Sequence, residues 1–338
     1  MDFSSDTSAP AHPAVLSALA DINSGMEASY GGDAITQRLR ATIKELFQTE
    51  DVAVLPVGSG TAANALALSV LCSPTEAIVC HRNSHIACDE RGAPEFFTGG
   101  GKLDLLDGAS GKLSAETLKA ACQRINRSFV HETPISTLSL TNLTESGTAY
   151  SASEVSQLSG IAKQYGLSVH LDGARLGNAL VSTGASAADM VVRNKVDVLS
   201  LGFTKTGAMG CELICLFGDA QGRFDDLLAR AKRAGHLPPK LRYISAQALA
   251  LLGNDLWLQL ARQANDAALM LADKLVQRFG ASLAHAVEGN EVFAYLPDDV
   301  SAKLFASGLK AYPWADGSVR FVCHWATSKA EIGKLDQI

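Results

Sequence analysis

The sequence lacks the features that mark several common classes of protein. Only 19% of its 338 residues are charged, the formal net charge is −6, and no basic stripe that would bind a nucleic acid stands out. No apolar stretch approaches the roughly 18 residues that a membrane-spanning helix needs. The segment Met1-Asp-Phe-Ser-Ser-Asp6 has no basic region followed by an apolar run, so we expect no signal peptide. We therefore expect neither nucleic-acid nor membrane partners.

Cysteine pairs of the kind that bind zinc or form redox motifs are also missing. The seven cysteines contain no CxxC pair and no zinc-type spacing. An odd number of cysteines scattered through apolar stretches predicts reduced and mostly buried thiols. We therefore expect a cytoplasmic protein.

Short apolar segments alternate with helix-like segments from about residue 50 to residue 235. The apolar segments cover residues 52–57, 77–80, 135–140, 167–171, 196–201 and 213–217. The helix-like segments cover residues 61–71, 115–125, 152–165 and 174–182. This alternation, with strands that are apolar on both faces, predicts an α/β fold with a mostly parallel sheet covered by helices.

The last hundred residues have a different character. A long helical pattern over 255–279 is followed by an apolar segment at 291–296, another helix, and a second apolar segment at 318–322. This order indicates a small α+β domain. We therefore predict a large domain over residues 1–240, with an N-terminal arm over 1–30, and a small C-terminal domain over 241–338.

Three predicted strands end in residues with chemical potential. Asp172 closes one strand, Lys205 follows the next, and Gly58-Ser-Gly-Thr-Ala-Ala-Asn64 links a third to a helix. The carboxyl ends of parallel strands meet at one edge of a sheet, where open α/β sheets bind their ligands. The small residues of the third segment would direct backbone amides toward a phosphate at the positive end of the helix dipole.

A phosphate cradle, a carboxylate and a lysine together meet the requirements of pyridoxal 5'-phosphate. The lysine binds the cofactor covalently, and the carboxylate keeps the pyridine nitrogen protonated so that the ring can accept electrons. Each feature alone has an ordinary structural explanation, such as a helix cap or a solvated lysine. Their combination predicts an enzyme that depends on this cofactor, with Lys205 and Asp172 in these two roles.

Several short motifs in order along the chain resemble those of one family. They are Ser5-Asp-Thr7, Tyr30-Gly-Gly-Asp33, Ser59-Gly-Thr-Ala-Ala-Asn64, His85 with Glu90 and Gly92, Asp172-Gly-Ala-Arg175, Thr204-Lys205 and Arg320-Phe-Val-Cys-His324. Over nearly its whole length the chain resembles the low-specificity threonine aldolases and phenylserine aldolases, which are fold-type-I pyridoxal-phosphate enzymes. The resemblance implies a large domain with a mostly parallel sheet and a small C-terminal α+β domain.

The resemblance also assigns roles to individual residues. Lys205 would be the Schiff-base lysine and Asp172 the partner of the pyridine nitrogen. The phosphate would be held by Ser59, Gly60 and Thr61, with help from Thr204. His85 would stack on the cofactor ring and accept the proton of the substrate's β-hydroxyl group.

Further residues would contact the substrate or a second subunit. Arg175 would contact the cofactor's phenolate oxygen or the substrate carboxylate, and Arg320 would pair bidentately with that carboxylate. Ser5 would line the substrate site, and Tyr30 would be contributed across a dimer interface. Arg233 is the predicted phosphate ligand of a neighbouring subunit, with Lys232 and Arg242 as competitors. Dimer and tetramer both remain open, and a homotetramer is the form that we expect.

The implied reaction is cleavage of the Cα–Cβ bond of L-threonine, L-allo-threonine or related β-hydroxy-α-amino acids such as phenylserine, giving glycine and an aldehyde. One departure concerns the base. Many relatives carry a histidine where this chain reads Asn142-Leu-Thr-Glu-Ser-Gly147, so Thr144 or Glu145 takes its neighbourhood. We predict His85 as the proton acceptor and Glu145 as its competitor.

Other interpretations remain at this level. A β-eliminating lyase on the same fold and a non-catalytic, pyridoxal-phosphate-binding regulator would share most of these motifs. A metal site could include His81, His85, Cys88 and Asp89, although His81 closes a strand, and we predict that no metal is bound there. A dinucleotide enzyme is disfavoured because Gly58-Ser-Gly-Thr61 lacks the full GxGxxG spacing.

Overall fold

The computed structural model describes all 338 residues and contains a seven-stranded sheet. Its strands are β1 (Val52–Val57), β2 (Ala77–His81), β3 (Lys102–Leu106), β4 (Ile135–Thr141), β5 (Ser168–Gly173), β6 (Val198–Gly202) and β7 (Glu212–Phe217). They are arranged in the order β1-β7-β6-β5-β4-β2-β3, and only β7 runs antiparallel to its neighbours. The predicted α/β fold with a mostly parallel sheet is therefore confirmed.

Fourteen α-helices accompany the strands. They are α1 (Pro13–Asp21), α2 (Ala34–Phe47), α3 (Gly60–Ser69), α4 (His85–Cys88), α5 (Ala93–Thr98), α6 (Ala115–Gln123), α7 (Ala152–Gln164), α8 (Leu176–Thr183), α9 (Ala187–Met190), α10 (Phe224–Arg233), α11 (Arg242–Leu252), α12 (Leu256–Phe279), α13 (Asp298–Ala306) and α14 (Lys329–Gly333). Helix α3 is buried almost all round, which explains why its sequence is rich in alanine and leucine. The structure has no helix that combines the length and apolar character required to cross a membrane.

One strand of the large sheet is absent from the sequence-based prediction. Strand β3 reads Lys-Leu-Asp-Leu-Leu, lies at the edge of the sheet and pairs only with β2. Only its last residue, Leu106, is buried, so the segment lacks the continuous apolar run that identifies the central strands. Its partner β2, by contrast, is buried at every position.

A second sheet of four short strands forms near the C-terminus. It contains β8 (Ser282–Leu283), β9 (Glu291–Tyr295), β10 (Tyr312–Pro313) and β11 (Val319–Val322), in the order β10-β11-β9-β8. The first residues of the chain join this unit: the backbone N–H of Phe3 donates to the carbonyl of Lys310, and that of Val322 donates to the carbonyl of Phe3. The N-terminal arm therefore begins on the small sheet and continues toward the large one.

Two hydrophobic cores of the chain share helix α12. The domain boundary predicted at residue 240 stays a prediction. The early part of α12, including Trp257 and Leu260, packs into the core of the large sheet together with Leu251 of α11. The later part, from Ala267 onward, packs with Phe3 and the small sheet. By packing, the change between cores falls within α12, and the helix connects the two units as one rigid element.

Candidate active site

The ends of the parallel strands enclose a cleft of about 600 Å³. The loops after β1, β2, β4, β5 and β6 contribute to it, together with the start of β7 and the small sheet. Ten of the residues predicted from the sequence line this cleft: Ser5, Ser59, Gly60, Thr61, His85, Asp172, Arg175, Thr204, Lys205 and Arg320. The structure thus brings together side chains that lie more than 300 residues apart in the chain.

The N-terminus of α3 forms one end of the cleft. The Ser59 hydroxyl caps the helix by accepting a hydrogen bond from the N–H of Ala62 at 3.3 Å. The N–H groups of Gly60 and Thr61 lie in the first turn, where no carbonyl group of the helix can accept a hydrogen bond from them. A β-carbon at Gly58 or Gly60 would meet no atom within 4 Å, so the space above these amides is open. This geometry suits a phosphate group.

Asp172 is buried near the end of β5 and is held by two hydrogen bonds. Its Oδ1 accepts from the N–H of Ala174 at 2.9 Å, and its Oδ2 accepts from Nδ2 of Asn64 at 2.8 Å. Oδ1 of Asn64 is itself buried without a hydrogen-bond partner. The carboxylate is therefore fixed in orientation by the backbone just after β5 and by Asn64 of α3.

Lys205 lies in the short 3-10 helix Thr204–Thr206 that follows β6. Its ammonium group makes no hydrogen bond or ion pair with the protein, whereas the Thr204 hydroxyl accepts a hydrogen bond from the N–H of Cys211 at 3.0 Å. At the start of the neighbouring β7, burial raises the pKa of Glu212 to about 7, although the hydrogen bond to Thr204 and the charge of Lys205 lower it in part. Lys205 thus stands free in a cleft rimmed by acidic groups.

His85, at the start of α4, forms a close pair with a buried acid. Its Nδ1 lies 2.7 Å from Oε1 of Glu90, and the same oxygen accepts a hydrogen bond from Asn64 at 2.8 Å. The hydrogen bond to Glu90 raises the pKa of His85 above its ordinary value against the effect of burial. Burial in turn raises the pKa of Glu90. The pair fixes the imidazole and leaves Nε2 for other contacts.

Glu145 lies in the loop after β4, and the sequence makes it the competitor of His85 as the base. Its Oε1 accepts a hydrogen bond from the backbone N–H of His85 at 2.6 Å, and its Oε2 is buried without a partner. Burial, followed by the nearby charge of Asp172, raises the pKa of Glu145 to about 7. A carboxyl group with this pKa can gain or lose a proton near neutrality, and it lines the same cleft as His85.

Both candidate arginines are held by buried acids. Arg175 donates through Nε and Nη2 to the two carboxylate oxygens of Asp6, at 2.7 and 3.2 Å. Arg320 donates through Nε to Oε1 of Glu291 at 2.9 Å, and its Nη2 lies 2.7 Å from the same oxygen. Burial would raise the pKa of Asp6, but Arg175 and Lys205 outweigh it and lower that pKa to about 2.

Two other histidines, His81 and His170, do not line the cleft. His170 is fully buried inside the sheet, with Nδ1 at 2.9 Å from Oγ of Ser139 and Nε2 at 3.0 Å from Oγ of Ser200. Burial lowers its pKa to about 4, so the ring is neutral and does not line the cleft. His81 bonds the carbonyl of Gly108, and no group of three or more potential metal ligands comes together in the structure.

Tyr30 and Arg233 do not line the cleft of their own chain. Tyr30 is 47% exposed, and Nζ of Lys232 lies 3.1 Å from its hydroxyl oxygen and 4.3 Å from the ring centre. Arg233 is exposed at the end of α10. Both residues are exposed outside the cleft of their own chain, and their predicted roles stay predictions.

Several residues of the site received no role from the sequence: Asp6, Asn64, Glu90, Glu212 and Glu291. Asp6, Asn64 and Glu90 fall inside the short motifs, but a motif does not reveal which side chain a buried acid or amide will contact. Glu291 gave only a faint signal, as an acid that opens an otherwise apolar strand. A buried acid in such a position requires a cationic partner, which here is an arginine on the neighbouring strand.

The chain is similar to known proteins over nearly its whole length. The model of the beta-eliminating lyase family matches residues 2–299. The low specificity L-threonine aldolase of Pseudomonas aeruginosa is 36% identical over 98% of this chain and 95% of its own length, and that of a Pseudomonas sp. is 34% identical over the same shares. A solved structure of Leishmania major threonine aldolase superposes with a TM-score of 0.92 at 28% identity, covering 99% of this chain and 97% of that one. A serine palmitoyltransferase from Sphingomonas wittichii shares the fold-type-I architecture, with a TM-score of 0.72 at 15% identity over 99% of this chain and 85% of its own. The chain therefore belongs to the beta-eliminating lyase family, and within that family to the enzymes of the low-specificity L-threonine aldolase group.

Proposed function

We propose that this protein is a pyridoxal-phosphate-dependent aldolase that cleaves L-threonine, L-allo-threonine or related β-hydroxy-α-amino acids, phenylserine among them, to glycine and an aldehyde. The observation that carries the proposal is the single cleft that joins Lys205, Asp172, His85, the N-terminus of α3 and Arg320. The residues fit the cofactor for two reasons. The space beside the backbone N–H groups of Gly60 and Thr61 is open, as a phosphate would require. The carboxylate of Asp172 is fixed at the same edge of the sheet as the free ammonium group of Lys205.

When bound, pyridoxal phosphate supplies an electron-poor ring that takes up the electron pair of the broken Cα–Cβ bond. Lys205 would hold it covalently, and Asp172 would keep a proton on its pyridine nitrogen. Ser59, Gly60 and Thr61 would bind its phosphate through the helix start, with Thr204 beside them. Asp172 can play this part steadily because two hydrogen bonds restrict its rotation.

The substrate would be oriented by its carboxylate and its β-hydroxyl group. Arg320 would bind the carboxylate, with Ser5 and Arg175 lining the same side of the cleft. His85, oriented by Glu90, would accept the β-hydroxyl proton at Nε2 as the Cα–Cβ bond breaks. Glu145 is the second candidate for this proton, because its unpartnered oxygen lies in the same cleft.

The test uses the purified protein loaded with its cofactor. We expect an absorbance band typical of a lysine-bound pyridoxal phosphate, a spectral change on adding glycine, and release of acetaldehyde and glycine from threonine. Lys205→Ala should abolish all three while leaving the circular dichroism spectrum unchanged. Release of ammonia and 2-oxobutanoate from threonine, without acetaldehyde, would instead indicate a β-eliminating lyase.

A second part of the proposal concerns subunits. We propose that Tyr30 and Arg233 complete the active site of a partner subunit within a homotetramer, because both are exposed and lie outside the cleft of their own chain. Mixing inactive Lys205→Ala with inactive Arg233→Ala should restore part of the activity, since a hybrid dimer contains one intact site. Absence of any recovery after confirmed subunit exchange would contradict the shared site.

The seven cysteines are all free, which agrees with the reducing cytoplasm as the proposed location. Fractionation of cells of the source organism, followed by detection of the chain with an antibody, would test this part.

A further inference from the structure

Glu291 stands between the two arginines of the substrate side of the cleft. It opens β9 opposite Val322 of β11, and only 1% of its side chain is exposed. Its Oε1 accepts from Nε of Arg320 at 2.9 Å and lies 2.7 Å from Nη2, while Oε2 faces Nη1 of Arg175 at 3.5 Å. One buried carboxylate is therefore hydrogen-bonded to Arg320 and lies at ion-pair distance from Arg175.

The two arginines differ in their exposure. Asp6 takes the Nε and Nη2 edge of Arg175, and Oε2 of Glu291 lies 3.5 Å from its Nη1, so the group lies between two acids and is 9% exposed. Glu291 takes the Nε and Nη2 edge of Arg320, which leaves both N–H groups of Nη1 and one of Nη2. Because Arg320 is 19% exposed and lines the cleft, these remaining donors are available to a ligand there.

One face of the Arg320 guanidinium group packs against an aromatic ring. Its Cζ lies 5.5 Å from the ring centre of Trp314, and that ring packs edge-on against Phe293 at 5.5 Å. With one edge bound by Glu291 and one face covered by an indole, the guanidinium has little freedom to rotate. A planar fork that is fixed in this way matches the geometry of a carboxylate.

We infer that Glu291 is a positioning residue of the substrate-carboxylate subsite: it holds one edge of Arg320 so that the opposite edge can bind the carboxylate of the amino acid. This inference rests on the proposed function for the identity of the ligand.

The test compares two ligands that differ only at the carboxyl group. Glycine and glycinamide are titrated against the cofactor-loaded protein, and their dissociation constants are taken from the spectral change. In Glu291→Gln the constant for glycine should rise about tenfold, the effect of one weakened hydrogen bond between charged groups, while that for glycinamide stays unchanged. Asp299→Asn, which removes an exposed acid from α13, is the matched control and should change neither constant.

Three outcomes would overturn the inference. Tighter glycine binding in Glu291→Gln would mean that Glu291 competes with the substrate for Arg320. Equal weakening of glycine and glycinamide would mean a general loss of structure. If the wild-type protein bound glycine and glycinamide with equal affinity, the carboxylate would not be recognised, and there would be no carboxylate subsite for Glu291 to position.

A structure of the wild-type protein with glycine serves if the variant does not fold. We expect Arg320 to keep its contact with Glu291 while it donates to the glycine carboxylate, and loss of that contact would refute the positioning role. The proposed function is tested by a different result. If the wild-type protein binds glycine more tightly than glycinamide but releases no aldehyde from threonine, the carboxylate subsite stands and the assignment as an aldolase is wrong.

Discussion

The identity of the proton acceptor can be decided by a substitution that touches neither candidate's reacting atom. Burial places the pKa of Glu145 at about 7, so about a tenth of this group would be ionised at pH 6 and about nine tenths at pH 8. The pKa of His85 also lies above its ordinary value because Glu90 stabilises the imidazolium. Either base would therefore give a pH–rate profile that falls on the acid side near neutrality.

Glu90→Gln separates the two. It removes the largest influence that raises the pKa of His85, whereas the pKa of Glu145 is set by burial, Asp172 and His85. If His85 is the base, the acid limb of kcat/KM for threonine and phenylserine should move to lower pH in this variant. If Glu145 is the base, the limb should not move to lower pH, because a less protonated His85 can only raise the pKa of Glu145.

The single substitutions complete the design. His85→Asn should lower kcat by about 10²–10⁴-fold, the usual contribution of a general base, while Glu145→Gln should retain most of the activity. Cofactor content is checked by absorbance in each variant, because His85 is also expected to contact the ring. An unmoved limb in Glu90→Gln, together with an active His85→Asn and an inactive Glu145→Gln, would refute the assignment of His85.

Three other predictions follow from the site. Lys205→Ala should lose turnover and the glycine-dependent spectral change at unchanged secondary structure, and a fully active variant would exclude its covalent role. Asp172→Asn should lower kcat by orders of magnitude while the protein still binds the cofactor, since the amide cannot hold a proton on the pyridine nitrogen; an unchanged rate would show that another group holds it. For Asp6, the effect of burial is outweighed by Arg175 and Lys205, which together lower its pKa from 3.8 to about 2. The ionised Asp6 therefore contributes about 2 kcal/mol to the free energy of unfolding above pH 4, and this contribution is lost as the pH falls toward 2. Urea unfolding of Asp6→Asn should lack this part of the acid dependence, and parallel curves for variant and wild type would contradict it.

The sequence was sufficient to predict those parts of the fold in which apolar residues follow one another. Strands β1 and β6, for example, are buried on both faces and were recognisable as apolar runs bounded by turn residues. The same logic placed Asp172 and Lys205 at one edge, because parallel strands align their carboxyl ends. In the structure both side chains line the same cleft, and their roles stay predictions.

The contacts between distant segments could not be predicted in this way. The pairing of Asp6 with Arg175 joins residues 169 positions apart, and that of Glu291 with Arg320 depends on the register of β9 against β11. Periodicity fixes which face of an element a residue lies on, but it does not fix which charged side chain will come opposite to it. For this reason the sequence left the two arginines free to bind ligands, whereas the structure shows each of them already bound to an acid.

The loop that carries Glu145 contacts residues of the C-terminal unit. These contacts connect the region of the proposed base with the carboxylate subsite that includes Glu291. The backbone N–H of Ala149 donates to Oε2 of Glu288 at 2.7 Å. At Gly147, where φ is +71°, a β-carbon would lie 3.0 Å from Cβ of Glu291. A side chain at position 147 would therefore be strained in its backbone and would press on Glu291, the residue that holds Arg320. Because Glu145 is only two residues away and accepts a hydrogen bond from the amide of His85, we expect a side chain at position 147 to disturb both the base region and the carboxylate subsite.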